Sequence, residues 1–338
     1  MASRSASWTD RGAFPLRHLT GLRGLPAAAL RTLLDAAREV RAQGLDAHAG
    51  VAPGRQAALL FYENSTRTRM SFESAVARLG GTPLVLNADT SSARKGESLR
   101  DTGRVLEAQG IEILIVRHPD PDASDYLSTQ VDIPVVNAGS GTGEHPTQAL
   151  LDILTLEDAL GPLAGKRVVL VGDIAHSRVA RSNLYGLTTL GASVVFCGPP
   201  TLVTPGWREL GAEVTFDLSR ALEGAHAVMG LRLQGERLHG EAPATSGTLR
   251  ARYGLTLEHL RRRPDLFVLH PGPVQRGVEM THEVADSSQS LILDQVRNGT
   301  FVRMAVLGLL WRAGQARPAP PPAPPAEGAR RPRQEVGR

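Results

Sequence analysis

The chain has 338 residues, of which 41% are hydrophobic and 21% charged, with a formal net charge of +4 at pH 7. That is long enough for two globular domains. A single cysteine, Cys197, excludes a disulfide framework and a cysteine-based metal site. There is no apolar run of about 18 residues and no apolar core after the polar first ten, so the expectation is a cytoplasmic protein, neither secreted nor membrane-spanning.

The stretch from Gln315 to Arg338 carries five arginines and two glutamates, so the body is close to neutral and the pI of 9.7 does not point to nucleic acid. Lys95 and Lys166 are the only lysines. This arginine bias means that an arginine alone is a weak sign of function.

In chain order, the first residues are expected to fray. Pro26 to Val40 has an Ala/Leu-rich helical pattern, and Ala57 to Tyr62 reads as a strand. Then comes Asn64-Ser65-Thr66-Arg67-Thr68-Arg69, followed by a helix on which Phe72, Val76 and Leu79 recur at helical spacing until Gly80-Gly81. Thr82 to Leu86 reads as a strand, Asn87 to Gly96 as a polar loop, and Glu97 to Gln109 as a helix. Ile111 to Val116 is a buried-type strand that ends in Arg117-His118-Pro119. Ile133 to Val136 is another, followed by a Gly-rich loop, His145-Pro146-Thr147-Gln148 and a helix over Ala149 to Leu160.

The pattern then restarts. Arg167 to Asp173 reads as strand and turn, and Ser177 to Leu190 as helix. Ala192 to Phe196, Glu213 to Phe216, Ala227 to Leu231 and Leu266 to Leu269 read as strands, and Ser287 to Arg312 as the last helix. Alternating strands and helices imply parallel sheets, and the restart implies two units. The expected fold class is α/β, two doubly wound parallel-sheet domains joined by helices. Six prolines between Pro318 and Pro325 make the Pro/Arg-rich C-terminal tail an expected disordered segment.

In open α/β sheets, ligands gather at the carboxyl ends of the strands. The polar clusters at 64–69, 117–118, 139–148 and 172–178 all lie there. A strand-to-helix junction offers unpaired N–H groups and a partial positive charge to an anion. Ser65, Thr66 and Thr68 add hydroxyl donors, and Arg67 a planar fork suited to phosphate. The plainer alternative is a capped helix with exposed arginines.

Arg117 is either a strand-end ion-pair partner or a second guanidinium for the same ligand. His145 either caps its helix or donates to a carbonyl oxygen, while Gln148 can accept from an NH2 group. The loop Gly139-Ser140-Gly141-Thr142-Gly143 fails the dinucleotide spacing, because position 144 is Glu. No Walker motif is present, which weighs against a nucleotide-binding regulatory or scaffold protein. Arg178 and Arg232 are surface arginines or, as a pair, a clamp for two carboxylates.

Ser65-Thr66-Arg67-Thr68-Arg69 resembles the carbamoyl-phosphate signature of the aspartate and ornithine carbamoyltransferases. Lys95-Gly96-Glu97, Arg117-His118-Pro119, His145 to Asp152, Gly172-Asp173 to Arg178, Arg232 to Arg237 and His270 to Glu279 follow in that family's order. Ornithine enzymes usually carry cysteine in the histidine motif and a late His-Cys-Leu-Pro. Here Thr147 and Gly272 stand in the corresponding motifs, which favours aspartate as acceptor.

The resemblance implies transfer of the carbamoyl group of carbamoyl phosphate to L-aspartate, in pyrimidine synthesis, with no metal and no organic cofactor. It implies that Ser65, Thr66, Arg67 and Thr68 hold the phosphate. Thr68, Arg117 and His145 would donate to the carbonyl oxygen, and Gln148 with the Gly272 and Pro273 carbonyls would hold the carbamoyl NH2. Arg178, Arg232 and Gln234 would take the two carboxylates of aspartate. Lys95, with Ser91, would come from a neighbouring subunit of a homotrimer with shared sites.

A regulatory chain or dihydroorotase is a possible partner, the tail a possible docking segment, and neither nucleic acid nor membrane is expected. The implied domains are 1–147 for carbamoyl phosphate, completed by a helix at 298–313, then 148–297 for aspartate, with 314–338 as tail. Closure between them would hinge near 147–150 and 295–300.

Overall fold

A computed structural model of the protein describes Trp8 and residues 14–87, 97–232 and 246–315. Ser91, Lys95, Gln234 and the tail from residue 316 lie outside the described residues. The first sheet holds β1 (Gln56–Phe61), β2 (Thr82–Asn87), β3 (Ile113–His118) and β4 (Val135–Ser140). Their order is β2-β1-β3-β4, all parallel. Leu59 of β1 is flanked by Val85 of β2 and Ile115 of β3.

The second sheet holds β5 (Arg167–Gly172), β6 (Ser193–Cys197), β7 (Glu213–Thr215), β8 (Ala227–Leu231) and β9 (Phe267–Leu269). It is also wholly parallel, in the order β7-β6-β5-β8-β9. The inner strands are buried on both faces, so they read as continuous apolar runs rather than alternating ones. Each fully buried Leu, Ile or Val there contributes about 1.5–3 kcal/mol.

Helices cover both sheets. α1 (Ala27–Gln43), α2 (Thr66–Arg78), α3 (Leu99–Ala108) and α4 (Ala123–Ser128) belong to the first half of the chain. α5 (Pro146–Leu160) leads to the second sheet, where α6 (Arg178–Thr189), α7 (Leu218–Leu222), α8 (Ser246–Tyr253), α9 (Leu257–Arg262) and α10 (His282–Ala285) lie. α11 (Ile292–Gln315) then returns to pack on α1, α2 and α5. The positions 147–150 fall inside α5 and 295–300 inside α11, so continuous helix makes both crossings between the halves.

Several boundaries differ from the sequence reading, and β3, for one, covers Ile113–His118 rather than Ile111–Val116. α11 begins at Ile292, not Ser287, because Ser290 and Leu291 are still tied to Val268 of β9. β4 continues through Gly139 to Ser140, into the segment read as a Gly-rich loop. α5 starts at Pro146, where a missing N–H costs nothing at the first helical position. The short helices α4, α7 and α10 carry too few residues to show a helical period.

Both sheets have a switch point that opens on the same side of the chain's polar clusters. In the first it lies between β1 and β3, whose ends lead to α2 and to Arg117. In the second it lies between β5 and β8, whose ends lead to α6 and to Arg232. Ligands of doubly wound sheets sit at such points.

Gly80 closes α2 at φ +88°, and a Cβ there would fall 1.9 Å from the Ala49 carbonyl oxygen. Gly80→Ala therefore lowers folding stability by more than about 2 kcal/mol, from left-handed strain and the clash together. Thermal denaturation of the variant beside the parent chain measures it.

Candidate active site

Between the two switch points lies a cleft of about 680 Å³. From the first half come Ser65, Thr66, Arg67 and Thr68 at the start of α2, Arg117 at the end of β3, and His145 and Gln148 at the start of α5. From the second half come Arg178 at the start of α6, Arg232 after β8, and Gly272 and Pro273 after β9. All of these were singled out in the sequence, and one cavity joins them. Gln295, Thr300 and Arg303 of α11 complete its wall.

Local structure explains the placement. α2 begins at Thr66 with no side-chain cap, so the hydroxyls and N–H groups of its first turn are left to the cleft. α6 begins differently, because Ser177 accepts from the Ala180 N–H at 3.1 Å. Its first residue, Arg178, donates to Glu63 Oε2 at 2.7 Å, and Arg117 Nε lies 3.5 Å from the same oxygen. Glu63 thereby couples an arginine of each half. Gly272 donates its N–H to His270 Nδ1 at 2.8 Å, and a side chain at Gly272 would meet the Arg67 guanidinium at 3.3 Å.

The cleft is strongly cationic, with five arginines on its wall among the described residues. Burial lowers the pKa of Arg67, and nearby Arg232 lowers it further. Burial lowers Arg303 to about 10, opposed by Asp152. Burial also holds His145 well below its usual range, and Arg117, Arg178 and Arg303 push it the same way. His145 is therefore a neutral imidazole at physiological pH, able to donate from one nitrogen only.

On the cleft wall, burial lowers His270 to about 3, helped by Arg67 and Arg232. Burial raises Glu279, 3.9 Å from His270, to about 7, opposed by backbone N–H groups and Arg232.

Several participants escaped the sequence reading. Glu63 directly precedes Asn64 and has no role in the sequence reading. Asp152 sits one turn after Gln148, and this i,i+4 spacing was the available signal. Gln295 and Arg303 are distant in the chain from the residues they join: Arg303 donates to Ser71 at 2.8 Å across 232 positions. No local pattern announces such a contact. Among the described residues, no group of three or more His, Cys, Asp or Glu could hold a metal ion, and no helix is long and apolar enough to cross a membrane.

Two parallel sheets share an arginine-lined cleft, with an uncapped helix start on one side and two further arginines on the other, an arrangement whose chemistry suits anionic small molecules. Residues 17–158 match the family model of the carbamoyl-phosphate-binding domain, and residues 164–310 that of the Asp/Orn-binding domain, of the aspartate/ornithine carbamoyltransferases. The chain belongs to that family.

It is 46% identical to the aspartate carbamoyltransferase catalytic subunit of Chlorobium phaeobacteroides, covering 87% of this chain and 99% of that one. It is 48% identical to the subunit of that name from Saccharopolyspora erythraea, covering 86% and 96%. Among solved structures it resembles aspartate transcarbamoylase from Trypanosoma cruzi in complex with carbamoyl aspartate and phosphate. That match has a TM-score of 0.80 and 29% identity, covering 90% of this chain and 99% of that one. It also resembles ornithine carbamoyltransferase from Pyrococcus furiosus, at TM-score 0.78 and 31% identity, covering 87% and 96%.

The Glu279 carboxyl has an ordinary value of 4.5 and is raised in the fold. Its burial therefore costs nothing below pH 4.5, and the cost grows as pH rises towards 7. Glu279→Gln keeps an acceptor for the Gln275 N–H, which now reaches Glu279 Oε2 at 2.6 Å. At pH 8 the variant is more stable than the parent by about 1 kcal/mol or more, and the difference closes towards pH 4.5. His270 titrates alike in both chains and cancels. Denaturation across that pH range measures the difference.

Proposed function

We propose that the chain is an aspartate carbamoyltransferase. It transfers the carbamoyl group of carbamoyl phosphate to the amino group of L-aspartate, giving N-carbamoyl-L-aspartate and phosphate, a step of pyrimidine synthesis. One observation carries this reading: the uncapped start of α2 and the arginine pair of the second sheet open onto one cleft. Carbamoyl phosphate is a small anion with an amide-like head, and aspartate carries two carboxylates. An ornithine side chain carries a positive charge and would meet Arg67, whose affinity for a proton burial and the charge of Arg232 already lower.

In this reading, Ser65, Thr66, Arg67 and Thr68 bind the phosphate. Thr68, Arg117 and neutral His145 donate to the carbamoyl oxygen, where negative charge develops as the aspartate amine attacks the carbon. The bond from carbon to the phosphate oxygen then breaks, and phosphate leaves with its electron pair and takes up the proton that the attacking amine gives up. Gln148 and the Gly272 and Pro273 carbonyls hold the carbamoyl NH2. Arg178 takes the α-carboxylate of aspartate, and Arg232 with Gln234 the β-carboxylate.

Ser91 and Lys95 of a neighbouring copy complete the site in a cytoplasmic homotrimer. The units 1–147 with 298–313, and 148–297, close on the two substrates. Holding the reactants in one orientation supplies much of the rate.

The purified chain, given carbamoyl phosphate with either L-aspartate or L-ornithine, forms ureido product with aspartate only. Product with ornithine alone overturns the acceptor assignment and keeps the donor site. Arg67→Ala lowers turnover at least ~100-fold, as loss of a charged phosphate and transition-state contact does, while its melting temperature stays near that of the parent.

A further inference from the structure

Asp152 is fully buried on α5, one turn after Gln148. Its carboxylate is met from three helices. Gln148 Nε2 donates to Oδ1 at 2.9 Å, and Gln295 Nε2 of α11 donates to the same oxygen at 2.7 Å. Asn183 Nδ2 of α6 donates to Oδ2 at 2.8 Å. An ionised carboxylate only accepts hydrogen bonds. Each of these amides must therefore give its NH2 to Asp152 and turn its carbonyl oxygen elsewhere.

The Gln295 oxygen accepts from the His270 N–H at 2.9 Å, and His270 Nδ1 in turn accepts from the Gly272 N–H at 2.8 Å. Gln148 lines the cleft, and its NH2 is the end that Asp152 engages.

We propose that Asp152 is the positioning residue that makes the site select a donor carrying an amino group. By taking the Gln148 NH2, it leaves Gln148 as an acceptor towards the carbamoyl nitrogen. Through Gln295 and His270, it holds the Gly272–Pro273 backbone that supplies the remaining acceptors. The inference rests on the carbamoyl-phosphate reading above.

Burial raises Asp152 to about 6, opposed by Asn183, Gln295, Gln148 and Arg303, so the group is ionised at neutral pH. His145, at the N-cap of α5, and His270, reached through Gln295, are held neutral there. An acyl phosphate with a methyl group in place of NH2 has the same shape but cannot donate, and it leaves these acceptors unpaired.

The test compares dissociation constants of carbamoyl phosphate, acetyl phosphate and inorganic phosphate in the parent chain and in Asp152→Asn at pH 7.5. An asparagine at 152 offers one acceptor oxygen to three NH2 groups, so the Gln148 amide is no longer pinned. The expected result is a fall of ~10-fold or more in the preference for carbamoyl over acetyl phosphate, the size of one lost hydrogen bond. Inorganic phosphate, held at the start of α2, changes by less than ~2-fold.

An unchanged preference overturns the inference. So does an equal loss for all three ligands, which marks Asp152 as a structural residue only. No preference in the parent chain overturns the carbamoyl-phosphate reading itself, an outcome legible without the variant.

If Asp152→Asn does not fold, neutron diffraction of the deuterated parent chain decides. Both Gln148 side-chain deuterons on the Asp152 side support the inference, and deuterons facing the cleft overturn it.

Discussion

Like-charged guanidinium groups that face one cleft repel each other and lose hydration as they are buried. Arg67, Arg117, Arg178, Arg232 and Arg303 do this here, and the molecule depends on how that cost is met. Glu63 bridges Arg117 and Arg178, so one carboxylate neutralises part of the charge of both halves. Arg303 keeps its charge beside buried Asp152 and stacks over the Phe72 ring at 5.1 Å. The remaining positive potential suits anionic substrates.

The second constraint is mechanical. The two sheets are separate parallel platforms, and the polar residues that each gives to the cleft follow the carboxyl ends of its strands. α5 and α11 cross between them, and they supply Gln148, Gln295 and Arg303 to the shared wall. Because the crossings are helical, the residues they carry are held by the i→i−4 backbone ladder rather than by loops. The hydrogen bonds of Asp152 tie both crossings to α6, so the wall of the cleft and the joint between the halves share one buried polar cluster.

Much of this is legible in the amino-acid sequence alone. The strands of both sheets stood out as short apolar runs between helical periods, and the polar clusters fell at their ends. Thr66 to Thr68, Arg117, His145 and Gln148 were picked out by residue type at strand-to-helix junctions, and they do share a cavity. Less legible were β4's run through Gly139 to Ser140, α11's start at Ile292, and helices too short to show a period.

What the amino-acid sequence determined by itself is therefore local. It set the alternation of strands and helices, the chemistry of each strand end, and the order of motifs along the chain. Those features arise from contacts a few residues apart, where side-chain type and backbone preference act directly. The tertiary structure alone decided strand order, the meeting of the two switch points, and the partners of Glu63, Asp152 and Arg303. These pairings span more than a hundred positions in the cases of Glu63 with Arg178, Asp152 with Gln295 and Arg303 with Ser71. They exist because packing two apolar cores brings distant polar groups into a dry space, where each must find a partner.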